Sequence, residues 1–135
     1  MSGPLAASRV YLVEPNVSLR SAEQAVLQDA NFDVAVCSSL DQVVARTRAD
    51  PAAVALIAWQ AMGGLLADER RNHLRELTHR VRLVVMVPRR WSRLLDATDL
   101  GDVVAGFVAK PFEADELIEA VRAASRVPAG LSASS

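Results

Sequence analysis

The chain has 135 residues, a formal net charge of -1 and one cysteine, Cys37. This length fits one domain with a self-sufficient core. The near-zero charge argues against a chain whose main task is to coat nucleic acid or an anionic membrane, and a lone cysteine excludes an intrachain disulfide. Apolar residues make up 51% of the chain and aromatics only 4%, so the core must come from small and branched aliphatics. No apolar stretch reaches the roughly 18 residues of a membrane-spanning helix. Residues 1–8 lack the basic start and apolar run of a signal peptide, so a cytoplasmic location is expected.

Five strand-length apolar runs occur in chain order: 9–13 (RVYLV), 33–37 (DVAVC), 54–58 (VALIA), 82–87 (RLVVMV) and 103–108 (VVAGFV). They are nearly continuous rather than alternating, as in strands of a parallel sheet covered on both faces. Helical spacing lies between them. In 18–30, Leu19, Ala22, Val26 and Leu27 share a face. Ser39 opens a second helix with Gln42 three residues on, in the form of a capping box, and Leu40, Val43 and Val44 make its apolar side. A third helix is predicted within 66–78, with Leu66, Arg70, His73, Leu74 and Leu77 on one face. A fourth spans about 91–100, and a fifth 114–125 with Leu117, Ile118 and Val121 inward.

Five strand–helix repeats predict an α/β domain with right-handed crossovers. The expected fold is a flavodoxin-like (βα)5 three-layer sandwich with a parallel sheet in the order 2-1-3-4-5. Residues 1–8 read as a disordered N-terminus, 9–126 as the domain and 127–135 as a flexible tail or linker. In such sheets ligands bind at the carboxyl ends of the strands. Those ends bring up Glu14, Pro15 and Asn16, then Trp59 and Gln60, then Val87 and Pro88, then Lys110 and Pro111.

The segment GFVAKPFEADELIEAVRAA (106–124) resembles the fifth strand, Lys-Pro motif and last helix of the receiver domains of bacterial two-component response regulators. RVYLVEPNVSLRSAEQAVL (9–27) is similar to that family's opening strand, loop and helix. The resemblance covers 9–124. It implies phosphorelay signal transduction, in which a histidine kinase transfers a phosphoryl group to an aspartate ending the third strand. An acidic pair after the first strand holds Mg²⁺ in that family. A hydroxyl residue after the fourth strand and a lysine after the fifth contact the phosphoryl group.

Carried over position by position, the chemistry is missing. The acidic pair falls on Glu14 and Pro15. With Met62 aligned to the family's methionine, the acceptor falls on Trp59, and its neighbours Ala58 and Gln60 are no acids either. The hydroxyl position is Val87; Lys110 alone matches. Mg²⁺ takes near-octahedral oxygen ligands, commonly including one or two carboxylates, and this degenerate pocket offers one. The resemblance therefore implies an atypical, aspartate-less pseudo-receiver with no metal, no cofactor and no catalytic residue.

Two readings stand for Lys110: a partner for Glu14 across the pocket, or a plain surface lysine. Trp59 is expected to fill the pocket or pack locally rather than anchor a partner. Phe107 occupies the family's switch-like aromatic position and is expected to be a core residue in one rotamer. Arg89, Arg90 and Arg93 around Trp91 read as a solvated charged loop, His73 and His79 as structural, and Gly63–Gly64 as a turn.

The expected function is phosphorylation-independent signalling through protein contacts. The partner would be a histidine kinase, an output protein or a second copy as a homodimer, with no nucleic acid and no membrane bound by this domain. The resemblance places the contact face on Trp91, Leu94, Leu95, Asp115, Glu119 and Arg122. The alternatives are a small-molecule sensor built on the sheet edge, or the N-terminal regulatory domain of a longer DNA-binding response regulator. No nucleophile–base pair, metal cluster or dinucleotide fingerprint points to an enzyme.

Overall fold

A computed structural model describes residues 9–49, 54–62, 77–78, 81–89, 105–110 and 112–125. The strands are β1 (Arg9–Val13), β2 (Asp33–Val36), β3 (Val54–Ala58), β4 (Arg82–Pro88) and β5 (Gly106–Lys110). The described helices are α1 (Val17–Asp29), α2 (Leu40–Ala49) and α3 (Ala114–Ser125), with a 3-10 turn at Trp59–Met62. All strand pairs are parallel and the sheet order is β2-β1-β3-β4-β5. This is the flavodoxin-like arrangement. Among the described residues no helix is long and apolar enough to cross a membrane.

The apolar runs are continuous because each strand feeds two cores. Val10 and Leu12, Val54, Leu56 and Ala58, Val84 and Met86, and Val108 pack on Leu27 of α1 and Leu117, Val121 and Ala124 of α3. Their neighbours Tyr11 and Val13, Ala55 and Ile57, and Leu83, Val85 and Val87 pack on Leu40, Val43 and Val44 of α2 and on Leu77. Alternate side chains point to opposite faces of a strand. Two-sided burial therefore demands an apolar residue at every position, and β3 is buried throughout.

Local chemistry sets the helix ends. Asn16 caps α1: its Oδ1 accepts from the Leu19 amide at 3.0 Å. At the other end Asn31 turns left-handed, with φ 72°. The Phe32 amide then reaches Leu27 O and the Asn31 amide reaches Gln28 O, both at 3.0 Å, which is a Schellman closure with Asn in the glycine position. Phe32 and Leu27 share a core cluster, supplying its apolar contact. Ser39 Oγ accepts from the Gln42 amide at 3.1 Å. Gln42 Oε1 returns to the amide of Ser38, at 2.6 Å, one residue earlier than the predicted box.

Several expectations need correction. The fifth strand, Gly106–Lys110, runs past the predicted end at 108, so Lys110 is its last residue and does not follow it; 103–104 of the predicted run lie outside the described residues. Val87 and Pro88 end β4 instead of lying beyond it, and β2 stops at Val36. On α1 the predicted face is rotated: Leu19 is 41% exposed and Ala22 is exposed, while Glu23 and Leu27 are buried. The helix is oriented by Leu27, Val26 and Ala30 against the sheet, and its first turn is exposed at Val17 and Leu19. Outside the described residues lie 1–8, 126–135, Gly63, Gly64, Leu66, Arg70, His73, Leu74, His79, Arg90, Trp91, Arg93, Leu94, Leu95 and Pro111, along with the predicted helix 91–100.

Candidate functional site at the carboxyl edge of the sheet

β1 ends in Val13, and Glu14 follows directly, so the reversal of strand order between β1 and β3 puts its carboxylate at the natural ligand crevice. Lys110 ends β5 at the far edge of the sheet. Lys110 Nζ nevertheless lies 2.5 Å from Glu14 Oε1. The Asn16 amide donates to Glu14 Oε2 at 3.2 Å, so both carboxylate oxygens are engaged. The side chains are 17% exposed for Lys110 and 0% for Glu14, so the pair is not an exposed surface bridge.

A third ionisable group joins them. Glu23, in the middle of α1, is 3% exposed. Its Oε2 is 3.9 Å from Lys110 Nζ. Neither of its oxygens has a hydrogen-bond partner at bonding distance among the described residues. Burial pushes the Glu23 carboxyl up to about 8; the neighbouring Glu14 carboxylate adds to the rise and Lys110 opposes it. A protonated Glu23 can share that proton with Glu14, and the site is then neutral: one carboxylate, one ammonium, one acid. Residue reasoning missed Glu23. The available signal was its position four residues before Leu27, which places both on one helical face.

The positions grouped by resemblance divide between the two faces of the sheet at its carboxyl edge. Glu14 and Lys110 meet on the side covered by α1. Trp59 and Phe107, both half-buried, pack instead on the core cluster of the α2 side, where Val87 is buried. Phe107 is therefore packed against a core cluster while half-buried. Pro15 is exposed beside Glu14. On α3, Asp115, Glu119 and Arg122 are exposed. Arg89 is exposed after β4. Cys37 is buried at 2% exposure, and burial pushes its thiol up, with Arg46 beside it opposing.

These donors do not fit Mg²⁺. Glu14 is occupied by an ammonium and an amide, Pro15 has no side-chain oxygen, and Trp59 and Val87 are apolar. Among the described residues no group of three or more His, Cys, Asp or Glu is placed to hold a metal ion. Lys110 supplies locally the positive charge that a cation would bring.

No protein-family model and no curated protein matches the chain. Solved structures do match it in fold. FixJ-N superposes with a TM-score of 0.73 at 22% identity, covering 94% of this chain and 100% of that one. Full-length FixJ from B. japonicum matches with a TM-score of 0.69 at 19% identity, over 90% of this chain and 59% of that one. The receiver domain of the sensor histidine kinase PA1611 from Pseudomonas aeruginosa, which has a magnesium ion coordinated in its active-site cleft, matches at 0.66 and 16% identity, over 90% and 100%. The chain thus has the receiver-domain fold of two-component response regulators.

Proposed function

We propose that this chain is an atypical receiver module, a pseudo-receiver that signals through protein contacts without being phosphorylated. The observation that carries the reading is the Lys110–Glu14 pair. The lysine that would meet a phosphoryl group is spent on the only carboxylate retained from the acidic pair, 2.5 Å away. The end of β3 offers Trp59, whose ring packs on the opposite core. Among the described residues, the end of β3 offers no carboxylate to accept a phosphoryl group, and the lysine of this edge already faces a carboxylate.

The module is non-catalytic, cytoplasmic and free of cofactors in this reading, and it binds neither nucleic acid nor membrane. Its partner is a protein: a histidine kinase, an output protein or a second copy. The exposed Asp115, Glu119 and Arg122 of α3, beside β5, are the described part of the contact face. A place at the N-terminus of a longer regulator is the second reading. It is favoured by the match to full-length FixJ, of which this fold accounts for 59%.

The test is a titration with Mg²⁺ and then beryllofluoride, which mimics an aspartyl phosphate. Trp59 fluorescence is followed in a Trp91→Phe background. No change at millimolar metal is expected; a saturable change would overturn the reading.

A further inference from the structure

We propose that Glu14, Glu23 and Lys110 form a proton-operated switch, in which one proton held between two buried carboxylates decides whether the Lys110 ammonium belongs to Glu14 alone or is shared with Glu23. The inference rests on the phosphate-independent reading of the same edge, because Lys110 must be free to choose between carboxylates and not be held by a phosphoryl group.

The geometry is uneven in the way a switch needs. Lys110 Nζ is 2.5 Å from Glu14 and 3.9 Å from Glu23. Glu14 has a second donor in the Asn16 amide, whereas neither Glu23 oxygen has a donor at hydrogen-bond distance among the described residues. A buried carboxylate without a donor is costly, so Glu23 holds its proton while the ion pair beside it stays intact. Loss of the proton leaves two buried carboxylates around one ammonium. Lys110 then gains from moving toward Glu23, and the charge of Glu14 is less completely met.

The surroundings leave these groups to govern each other. On α3 the side chains buried against this core are Leu117, Val121 and Ala124, and its charged residues Asp115, Glu116, Glu119 and Arg122 are exposed, as is Glu113 just before it. On β2, Asp33 is paired with Arg9 at 2.7 Å. On α1 itself, Asp29 is exposed and Arg20 half-exposed. Among the described residues, Glu14 and Lys110 are the charges that act on Glu23.

The elements connected by the proton differ in how firmly they are held. Glu14 follows β1, which is paired on both sides, and Glu23 is on α1. Lys110 ends β5, an edge strand hydrogen-bonded only to β4 and in contact with α3. A shift of Lys110 is therefore taken up by β5 and by the α3 face beside it.

The experiment is carboxyl ¹³C NMR of the full chain, labelled at Glu, across the neutral and alkaline range, with amide shifts of Gly106–Lys110 recorded in parallel. One Glu carboxyl should titrate with a midpoint near 8, and the β5 amides should move with that midpoint. Glu23→Gln should remove both transitions. Glu14→Gln should lower the midpoint and Lys110→Met should raise it, opposite shifts that burial alone does not produce. Glu carboxyls all titrating in the ordinary range, or β5 amides that stay still while Glu23 titrates, would overturn the switch. Such a result leaves the phosphate-independent reading standing. A beryllofluoride response with the Glu23 titration unchanged would overturn that reading instead.

Discussion

Lys110 Nζ sits 2.5 Å from Glu14 Oε1 although β3 and β4 lie between the strands that carry them. The contact closes over the carboxyl edge of the sheet and ties the edge strand β5 to the loop that follows β1. Residues 96 positions apart in sequence meet there. The same ammonium faces Glu23 on the covering helix, so sheet and helix share one charge.

Lys110→Met should destabilise the fold by about 3 kcal/mol in urea unfolding, because it leaves the fully buried Glu14 carboxylate without its counter-ion. Glu14→Gln combined with Lys110→Met should cost less than the two single changes added together, since neither residue then strands the other.

Stability should decline with rising pH through Glu23. Its carboxyl is raised from an ordinary 4.5 to about 8 in the folded chain. Between those values the folded state keeps a proton that the unfolded state releases. The contribution is thus complete below the lower value, falls across the interval, and is gone above the upper one. The slope is at most about 1.4 kcal/mol per pH unit. Other carboxylates titrate too, so the readout is wild type compared with Glu23→Gln by urea unfolding at pH steps across the interval. The variant should lack this decline.

Asn31 at φ 72° carries a conformation that costs a side chain with a Cβ about 1–2 kcal/mol. Asn31→Gly should keep or raise the melting temperature. Asn31→Val should lower it, because a β-branched residue resists the left-handed turn that lets Phe32 and Asn31 close α1.

Cys37 should be inert to iodoacetamide in the folded protein and react promptly once unfolded. Its side chain is buried and its thiol is pushed up by that burial, so the reactive thiolate is scarce and shielded. Rapid labelling under native conditions would mean that β2 and α2 open locally.

The five strands were legible because two-sided burial writes itself as continuous apolar runs, as in Val54–Ala58. Boundaries were less so. The run at 103–108 mixes residues before β5 with β5 itself, and apolar character does not mark where pairing with β4 begins. On α1, Leu19 and Leu27 look equivalent to a helical repeat, yet one is exposed and the other buried. Only the docking of the helix on the sheet distinguishes them.

The sequence by itself determined the class of fold and the absence of an acid at Trp59, because periodicity and residue chemistry are local properties. The tertiary structure decided which of those residues meet. It sent Trp59, Val87 and Phe107 to the α2 side, and it brought Glu14, Lys110 and the unpredicted Glu23 together on the other. The reason is physical: alternation along a strand assigns a side chain to a face, but its partner there depends on sheet order, register and the docking of a helix. Those are set by contacts between residues far apart in the chain.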